Sequence, residues 1–135
     1  MRNKIIEEDL RNIVSKNLPW SEFFGKTILV TGASGFIAAY MVETLLYLNE
    51  VHGDSKIRVV CLVRNKKNAL RRFSHYKNRK DIEFLVQDVC EAITYKEKID
   101  YIIHAASYAT PTKYGIDPVG TLLPNTLGTY YLLEH

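Results

Sequence analysis

The stretch that decides the fold is Thr31-Gly32-Ala33-Ser34-Gly35-Phe36-Ile37-Ala38. It directly follows a short β-branched run, residues 26–31, that is continuously apolar in its middle, as expected of a strand covered on both faces. A long apolar stretch, residues 36–51, comes next and predicts a largely buried helix. The two glycines therefore lie in a turn that joins a buried strand to a buried helix.

The spacing within this turn is typical of an anion-binding site. Gly32 allows the chain to turn tightly off the strand, and Gly35 leaves no side chain where a pyrophosphate would approach the backbone. Ala38 is small enough for the helix to lie close to the sheet. Free amides and the positive dipole end of the helix then attract an anion. The turn thus predicts a dinucleotide site.

Strands and helices continue to alternate downstream of the turn. Further strands are predicted over 57–63, 82–86 and 99–104. Helices are predicted over 65–75 (with Ala69, Leu70 and Phe73 facing inward), around 92–93 and over 121–134, with a loop containing Pro111, Gly115 and Pro118 before the last of them. This alternation predicts an α/β fold, a Rossmann-type doubly wound parallel sheet. No glycine or proline caps the last helical pattern, so the sheet is expected to be truncated.

The residues before the first strand have a different pattern of apolar and charged side chains. Apolar residues at helical spacing predict an amphipathic helix over 4–17, and residues 20–25 form a short aromatic turn or half-helix. The expected organisation is therefore an N-terminal helical extension, residues 1–25, followed by a cofactor-binding segment, residues 26–135.

Composition excludes several classes of protein. The 135 residues suit one domain, and 47% hydrophobic residues exclude general disorder. No apolar run reaches the about 20 residues that a membrane span needs, and an early acidic stretch excludes a secretory signal. A net charge of +3 is too mild to indicate nucleic acid. Cys61 and Cys90 lack metal-ligand spacing and are expected to be free thiols of a cytoplasmic protein, with no metal site.

Three more motifs follow in order along the chain: Gln87-Asp88-Val89, His104-Ala105-Ala106, and Asn125 with Gly128-Thr129 and Leu132-Leu133-Glu134. Together with the glycine turn they resemble the extended short-chain dehydrogenase/reductase superfamily over about residues 26–135. Within it they are most similar to the NAD-dependent nucleotide-sugar epimerase/dehydratase group.

The resemblance implies roles for single residues. Asp88 and Val89 would flank the adenine, Ala105 and Ala106 would line the cofactor channel, and Asn125 would support the active site. Read without the resemblance, Asp88 is equally a loop cap, His104 a satisfied strand-end histidine and Asn125 a residue of a helix start. The residues expected to bind cofactor are Gly32, Ala33, Ser34, Gly35, Phe36, Ile37, Arg64, Asp88, Val89, Ala105, Ala106 and Asn125.

The end of the second strand leaves the cofactor open between NAD and NADP. A carboxylate there favours NAD, whereas an arginine accommodates the 2′-phosphate of NADP, and this chain has Arg64. The resembled group mostly uses NAD. From Arg64 to Lys80 there are eight Lys or Arg residues and no acidic one. This run is otherwise a solvated helix face, and no aromatic platform accompanies it as nucleic-acid binding would require.

Catalytic residues are not expected within this chain. In the resembled superfamily a Tyr-x-x-x-Lys pair with a Ser or Thr does the chemistry, since the lysine lowers the tyrosine pKa. The pair Tyr76 and Lys80 has this spacing but precedes the third strand, so we interpret it as coincidental. The true pair is expected after residue 135, and the chain alone is expected to be inactive.

The predicted function is the N-terminal dinucleotide-binding segment of a nucleotide-sugar epimerase or dehydratase that transiently oxidises a sugar carbinol. Its partners would be a nucleotide sugar and a second copy in a homodimer, with no nucleic acid or membrane. The loop over 107–115 is either a wall of the sugar site or a surface loop. The alternative functions are an NADP-dependent carbonyl reductase of the same superfamily and a non-catalytic dinucleotide-sensing module.

Overall fold

Four parallel strands form one sheet in the computed structural model, which describes residues 2–108 and 110–135. The order across the sheet is β3-β2-β1-β4. Val30 of β1 pairs with Cys61 of β2 on one side and with Ile103 of β4 on the other. The strands are β1 (Thr27–Thr31), β2 (Arg58–Val63), β3 (Ile82–Val86) and β4 (Tyr101–Ile103).

Helices cover the sheet between and after the strands. Two short 3₁₀ turns, Trp20–Phe23 and Ser74–Tyr76, accompany them. The α-helices are α1 (Lys4–Val14), α2 (Phe36–Val51), α3 (Lys66–Arg72), α4 (Pro111–Ile116), α5 (Pro118–Asn125) and α6 (Leu127–Glu134). None of these helices is both long and apolar enough to cross a lipid bilayer.

The two central strands, β1 and β2, are buried on both faces of the sheet. Successive side chains of a strand point to opposite faces, so each of these strands packs into two clusters. Ile28 and Val30 pack with α2 and α3 in one apolar cluster. Leu29 packs on the other face, in a cluster that includes Val89 and Leu132 of α6. The predicted doubly wound α/β architecture is confirmed.

Helix α1 lies against α2. Leu10 of α1 is completely buried, and the Tyr40 hydroxyl of α2 donates to the Asp9 carboxylate over 2.8 Å. Helix α1 ends at Val14, before the predicted residue 17. The Trp20 indole donates back to the Lys16 carbonyl over 3.0 Å, which fixes the predicted aromatic turn.

The helix predicted around residues 92–93 is wrong. Among the described residues, 87–100 contain no helix or strand, and the Gln87 side chain provides the reason. Its carbonyl oxygen accepts from the Thr94 amide over 3.0 Å and from the Thr94 hydroxyl over 2.8 Å, while its amide donates to the Ala92 carbonyl over 3.3 Å. These bonds hold the backbone in a loop and replace the backbone hydrogen bonds that a helix would make.

The loop predicted before residue 121 is also wrong. Pro111 begins α4 and Pro118 begins α5, because proline is favoured at the first helical position. The Asp117 carboxylate accepts from the Gly120 amide over 2.9 Å and caps α5. The single helix predicted over 121–134 is divided at Thr126, which joins α5 to α6.

The helix predicted over 65–75 is shorter in the structure, and one of the residues predicted to face the core is exposed. It spans Lys66–Arg72, with Asn65 as its cap, because the Asn65 side chain accepts from the Asn68 amide. Ala69 and Phe73 are buried as expected, but Leu70 is 48% exposed. The prediction for Leu70 is therefore wrong, since a helix of this length turns only a narrow stripe toward the core.

Candidate functional site

A cleft of about 320 Å³ opens where the parallel strands end. The glycine turn bounds it on one side, and the ends of β2 and β3 with the segment after β4 complete its walls. Open α/β sheets place ligands at this edge. Eight of the predicted residues line the cleft, namely Gly32, Ser34, Gly35, Arg64, Asp88, Val89, Ala105 and Ala106.

The other four predicted residues do not line the cleft. Ala33 is completely buried in the core. Phe36 and Ile37 have exposed side chains and offer only their backbone at the start of α2. Asn125 reaches the cleft indirectly, because its side-chain amide donates to the Ser107 hydroxyl over 2.9 Å. Ser107 itself is part of the wall.

Gly32 is required by two features of the turn. Its φ of +60° lies in the left-handed region. A Cβ at this position would also lie 2.8 Å from the Ala105 carbonyl oxygen, so the turn and the segment after β4 touch backbone to backbone. Gly35 donates its amide to the Gly32 carbonyl over 2.8 Å and closes the turn.

The start of α2 can receive an anion. Gly35 is its N-cap, no side chain accepts from its first amides, and its first turn has no acidic residue. The first amides of a helix have no partner within the helix and are positive. A Cβ on Gly35 would meet only the Gly32 carbonyl oxygen, at 3.1 Å. The residues present therefore fit a pyrophosphate.

Opposite charges meet at the far end of the cleft. One Asp88 carboxylate oxygen accepts from the Cys90 amide over 2.9 Å, as the loop-cap interpretation requires. The other lies 4.0 Å from an Arg64 guanidinium nitrogen. The Arg64 guanidinium also lies 5.7 Å from the centre of the Tyr108 ring. The end of β2 therefore carries an arginine, and the carboxylate that lies beside it belongs to the loop after β3.

Comparison with known proteins agrees with this geometry. The model of the NAD dependent epimerase/dehydratase family matches residues 28–135. The chain belongs to this family. UDP-glucuronic acid decarboxylase 1 of Danio rerio is 32% identical over 98% of this chain and 30% of its own length. The dTDP-D-glucose 4,6-dehydratase of Dictyostelium discoideum is 32% identical over 84% of this chain and 26% of its own length.

A solved structure shows the same fold. The dTDP-glucose 4,6-dehydratase DesIV of Streptomyces venezuelae, with NAD and DAU bound, superposes with a TM-score of 0.63 at 22% identity. The match covers 79% of this chain and 34% of that one. This epimerase/dehydratase-family chain spans between 22% and 32% of the length of these curated relatives.

The cleft includes residues that the sequence did not single out for the cofactor. Asn65 and Asn68 follow the carboxyl end of β2. Because ligands bind at this end of parallel strands, the position of both asparagines in the sequence could have predicted them. Tyr108 and Ser107 belong to the loop assigned either to a sugar wall or to the surface, while Ala109 of that loop lies outside the described residues. Pro124 carries no local signal, because only the packing of α5 brings it to the cleft.

Tyr76 lies at the opposite edge of the sheet, in the 3₁₀ turn before β3. It is buried, and its hydroxyl accepts from the Arg2 guanidinium over 2.7 Å and lies 3.3 Å from a Glu43 carboxylate oxygen. Burial, together with the Glu43 charge, raises the pKa of Tyr76. A general base needs the opposite shift, which supports the interpretation of this tyrosine as structural.

Tyr76→Phe is expected to lower the free energy of unfolding by about 1–2 kcal/mol, because Arg2 and Glu43 lose a buried partner. Dinucleotide affinity is expected to stay unchanged, since the cleft lies at the other edge. Urea unfolding measures the stability, and calorimetric titration measures the affinity. Tyr130→Phe is the control, since Tyr130 is an exposed tyrosine on α6. A loss of affinity in a fully folded variant would contradict the structural role.

Proposed function

We propose that residues 26–135 bind NAD or NADP and that residues 1–25 are a helical extension packed on this segment. The observation that carries the proposal is the start of α2, which has no side-chain cap and faces a turn with no side chain at Gly32 or Gly35. A dinucleotide pyrophosphate is the anion that this arrangement accommodates.

The cleft residues divide between the parts of such a cofactor. Ser34, Gly35 and the amides of Phe36 and Ile37, which follow Ala33 in the turn, would bind the pyrophosphate. Arg64, Asp88 and Val89 would surround the adenosine. Ala105 and Ala106 would lie beside the nicotinamide ribose, with Asn125 supporting this end through Ser107. The assignment is supported by the elements that carry these residues: the glycine turn after β1, the loops after β2 and β3, and the segment after β4, which Asn125 contacts through Ser107.

The proposed substrate of the longer enzyme is a nucleotide sugar. Support comes from the relatives, which are a UDP-glucuronic acid decarboxylase and a dTDP-glucose dehydratase. The bound nicotinamide would accept a hydride from a sugar carbinol. The chain spans less than a third of these relatives, so we propose that turnover needs residues outside it and that the chain alone is inactive.

Calorimetric titration of the chain with NAD and NADP tests the proposed function. We expect saturable binding of at least one of the two dinucleotides, and no epimerase, dehydratase or reductase turnover. The absence of binding by both would contradict the assignment of the cleft.

Two further properties are part of the proposal. The free thiols of Cys61 and Cys90 are consistent with a cytoplasmic location. Val119, Leu122 and Leu133 are exposed on α5 and α6 and support association with a second copy. Sedimentation equilibrium would show a monomer at all concentrations if the homodimer is wrong.

Arg64→Ala tests the choice of cofactor. We expect NADP affinity to fall about tenfold to a hundredfold and NAD affinity to fall less, because a charge-assisted bond to a 2′-phosphate is worth about 1.5–3 kcal/mol. Calorimetric titration with both cofactors measures the difference. Arg71→Ala is the matched control, since Arg71 lies on α3, in the same basic run as Arg64, and outside the cleft wall.

The two other results of this experiment have distinct meanings. Equal weakening of both cofactors would indicate that Arg64 stacks on the adenine that they share. Affinities that stay unchanged would remove Arg64 from the site and with it the reason to favour NADP. Since Asp88 lies 4.0 Å from Arg64, Asp88→Asn is expected to improve NADP binding if the phosphate contact exists.

A further inference from the structure

The Thr31 hydroxyl, at the end of β1, is a junction of three hydrogen bonds. Its oxygen accepts from the Ala105 amide over 3.0 Å and from the Ala106 amide over 3.1 Å. The His104 Nδ1 atom lies 2.7 Å from the same oxygen. Thr31 is completely buried, and a hydroxyl has two lone pairs and one proton. Since both lone pairs are used, the proton is donated to His104 Nδ1.

The other ring nitrogen of His104 makes an equally definite contact. Nε2 lies 2.9 Å from the carbonyl oxygen of Pro124, in the last turn of α5. A carbonyl can only accept, so Nε2 carries the ring proton. The contacts on the two sides of the ring therefore require the same tautomer, neutral with the proton on Nε2.

We propose that His104 is a positioning residue that, in this single tautomer, ties the end of β1 to the end of α5. The tie joins two walls of the cleft, since Thr31 immediately precedes Gly32 and Pro124 immediately precedes Asn125. Asn125 in turn donates to Ser107 in the wall. The tautomer and the tie are properties of the chain alone, whereas the effect on dinucleotide affinity rests on the proposed function.

Nitrogen-15 NMR of the imidazole tests the tautomer directly. At a pH of about 8, where an unperturbed imidazole is neutral, we expect His104 to show a protonated Nε2 and an unprotonated Nδ1. Thr31→Val removes the hydroxyl while keeping the shape, so Nε2 is expected to stay protonated through its bond to Pro124, while the Nδ1 resonance shifts because Nδ1 no longer accepts a hydrogen bond. Thr31→Ser keeps the hydroxyl and is the matched control. A His104 ring that is protonated on Nδ1 in the unmodified chain would overturn the proposal.

Substitutions at His104 separate its two contacts. Asparagine places a side-chain oxygen where Nδ1 lies and keeps only the bond from Thr31, whereas glutamine places an amide nitrogen near Nε2 and keeps only the bond to Pro124. We expect hydrogen exchange of the amides around the junction of α5 and α6 to accelerate about threefold to tenfold in His104→Ala and His104→Asn. In His104→Gln it is expected to stay close to the rate of the unmodified chain.

Exchange in His104→Gln that is as fast as in His104→Ala would overturn the tie to α5. Dinucleotide affinity is expected to fall about threefold to tenfold in His104→Ala, and an unchanged affinity would overturn the link between the tie and binding. If the unmodified chain binds neither NAD nor NADP, the proposed function fails. The tautomer and exchange results then still support or overturn the role of His104.

Discussion

Gly32→Ala is expected to lower the free energy of unfolding by about 2–5 kcal/mol. The left-handed backbone at Gly32, with φ +60°, costs a side-chain-bearing residue about 1–2 kcal/mol. The added methyl would also lie 2.8 Å from the Ala105 carbonyl oxygen, which belongs to the backbone and cannot move aside alone. Overpacking of this kind adds about 1–3 kcal/mol. Urea unfolding followed by circular dichroism measures the loss.

Gly25→Ala is the matched control for the Gly32 substitution. Gly25 also has a left-handed backbone, with φ +69°, but a Cβ there would meet nothing within 4 Å. Its substitution is therefore expected to show the backbone strain alone, and the difference between the two variants isolates the contact with Ala105. Equal losses in both variants would contradict the close approach of the turn to the segment after β4.

Gly35→Val is expected to weaken dinucleotide binding more than about a hundredfold. The φ of Gly35 is −67°, which every residue adopts, so the effect does not come from backbone strain. A branched side chain would instead occupy the space in front of the first amides of α2, where the pyrophosphate is proposed to bind. Calorimetric titration with NAD and NADP measures the loss.

The effect of Gly35→Val on stability is expected to be small. Because the Cβ would lie 3.1 Å from the Gly32 carbonyl oxygen, the free energy of unfolding is expected to fall by about 1 kcal/mol. Gly53→Val is the matched control, since a Cβ there meets nothing within 4 Å and the residue lies in the turn before β2. Undiminished affinity in Gly35→Val would contradict the pyrophosphate assignment.

The parts of the fold that could be predicted are those with a local signal. The β-branched runs gave β1, β2 and β3 to within one residue, and the glycine turn gave the start of α2. For the cleft, local signals predicted Gly32, Ser34, Gly35 and Arg64, whereas Asp88, Val89, Ala105 and Ala106 were predicted through the family resemblance. The two sets meet in the structure because the carboxyl ends of parallel strands lie at one edge of the sheet.

Other parts of the fold depend on a choice between two local conformations that a single sequence allows equally. Pro111 and Pro118 are equally suited to a loop and to a helix start. The cap at Asp117 favours the helix at Pro118, whereas α4 begins at Pro111 without a side-chain cap. The Gln87 side chain decides against a helix by reaching seven residues along the chain to Thr94. The bond between Thr31 and His104 joins residues 73 apart, so it arises only once β1 and β4 have paired.

The outer edge of β4 is expected to limit the solubility of this chain at high concentration. Within the described residues β4 pairs only with β1, and Tyr101 and Ile102 remain 40% and 38% exposed. A row of backbone donors and acceptors flanked by apolar side chains is a template for adding a strand from another molecule. We therefore expect copies of the chain to associate through this edge at high concentration, and Ile102→Lys to reduce that association, as charged residues do on edge strands of natural proteins.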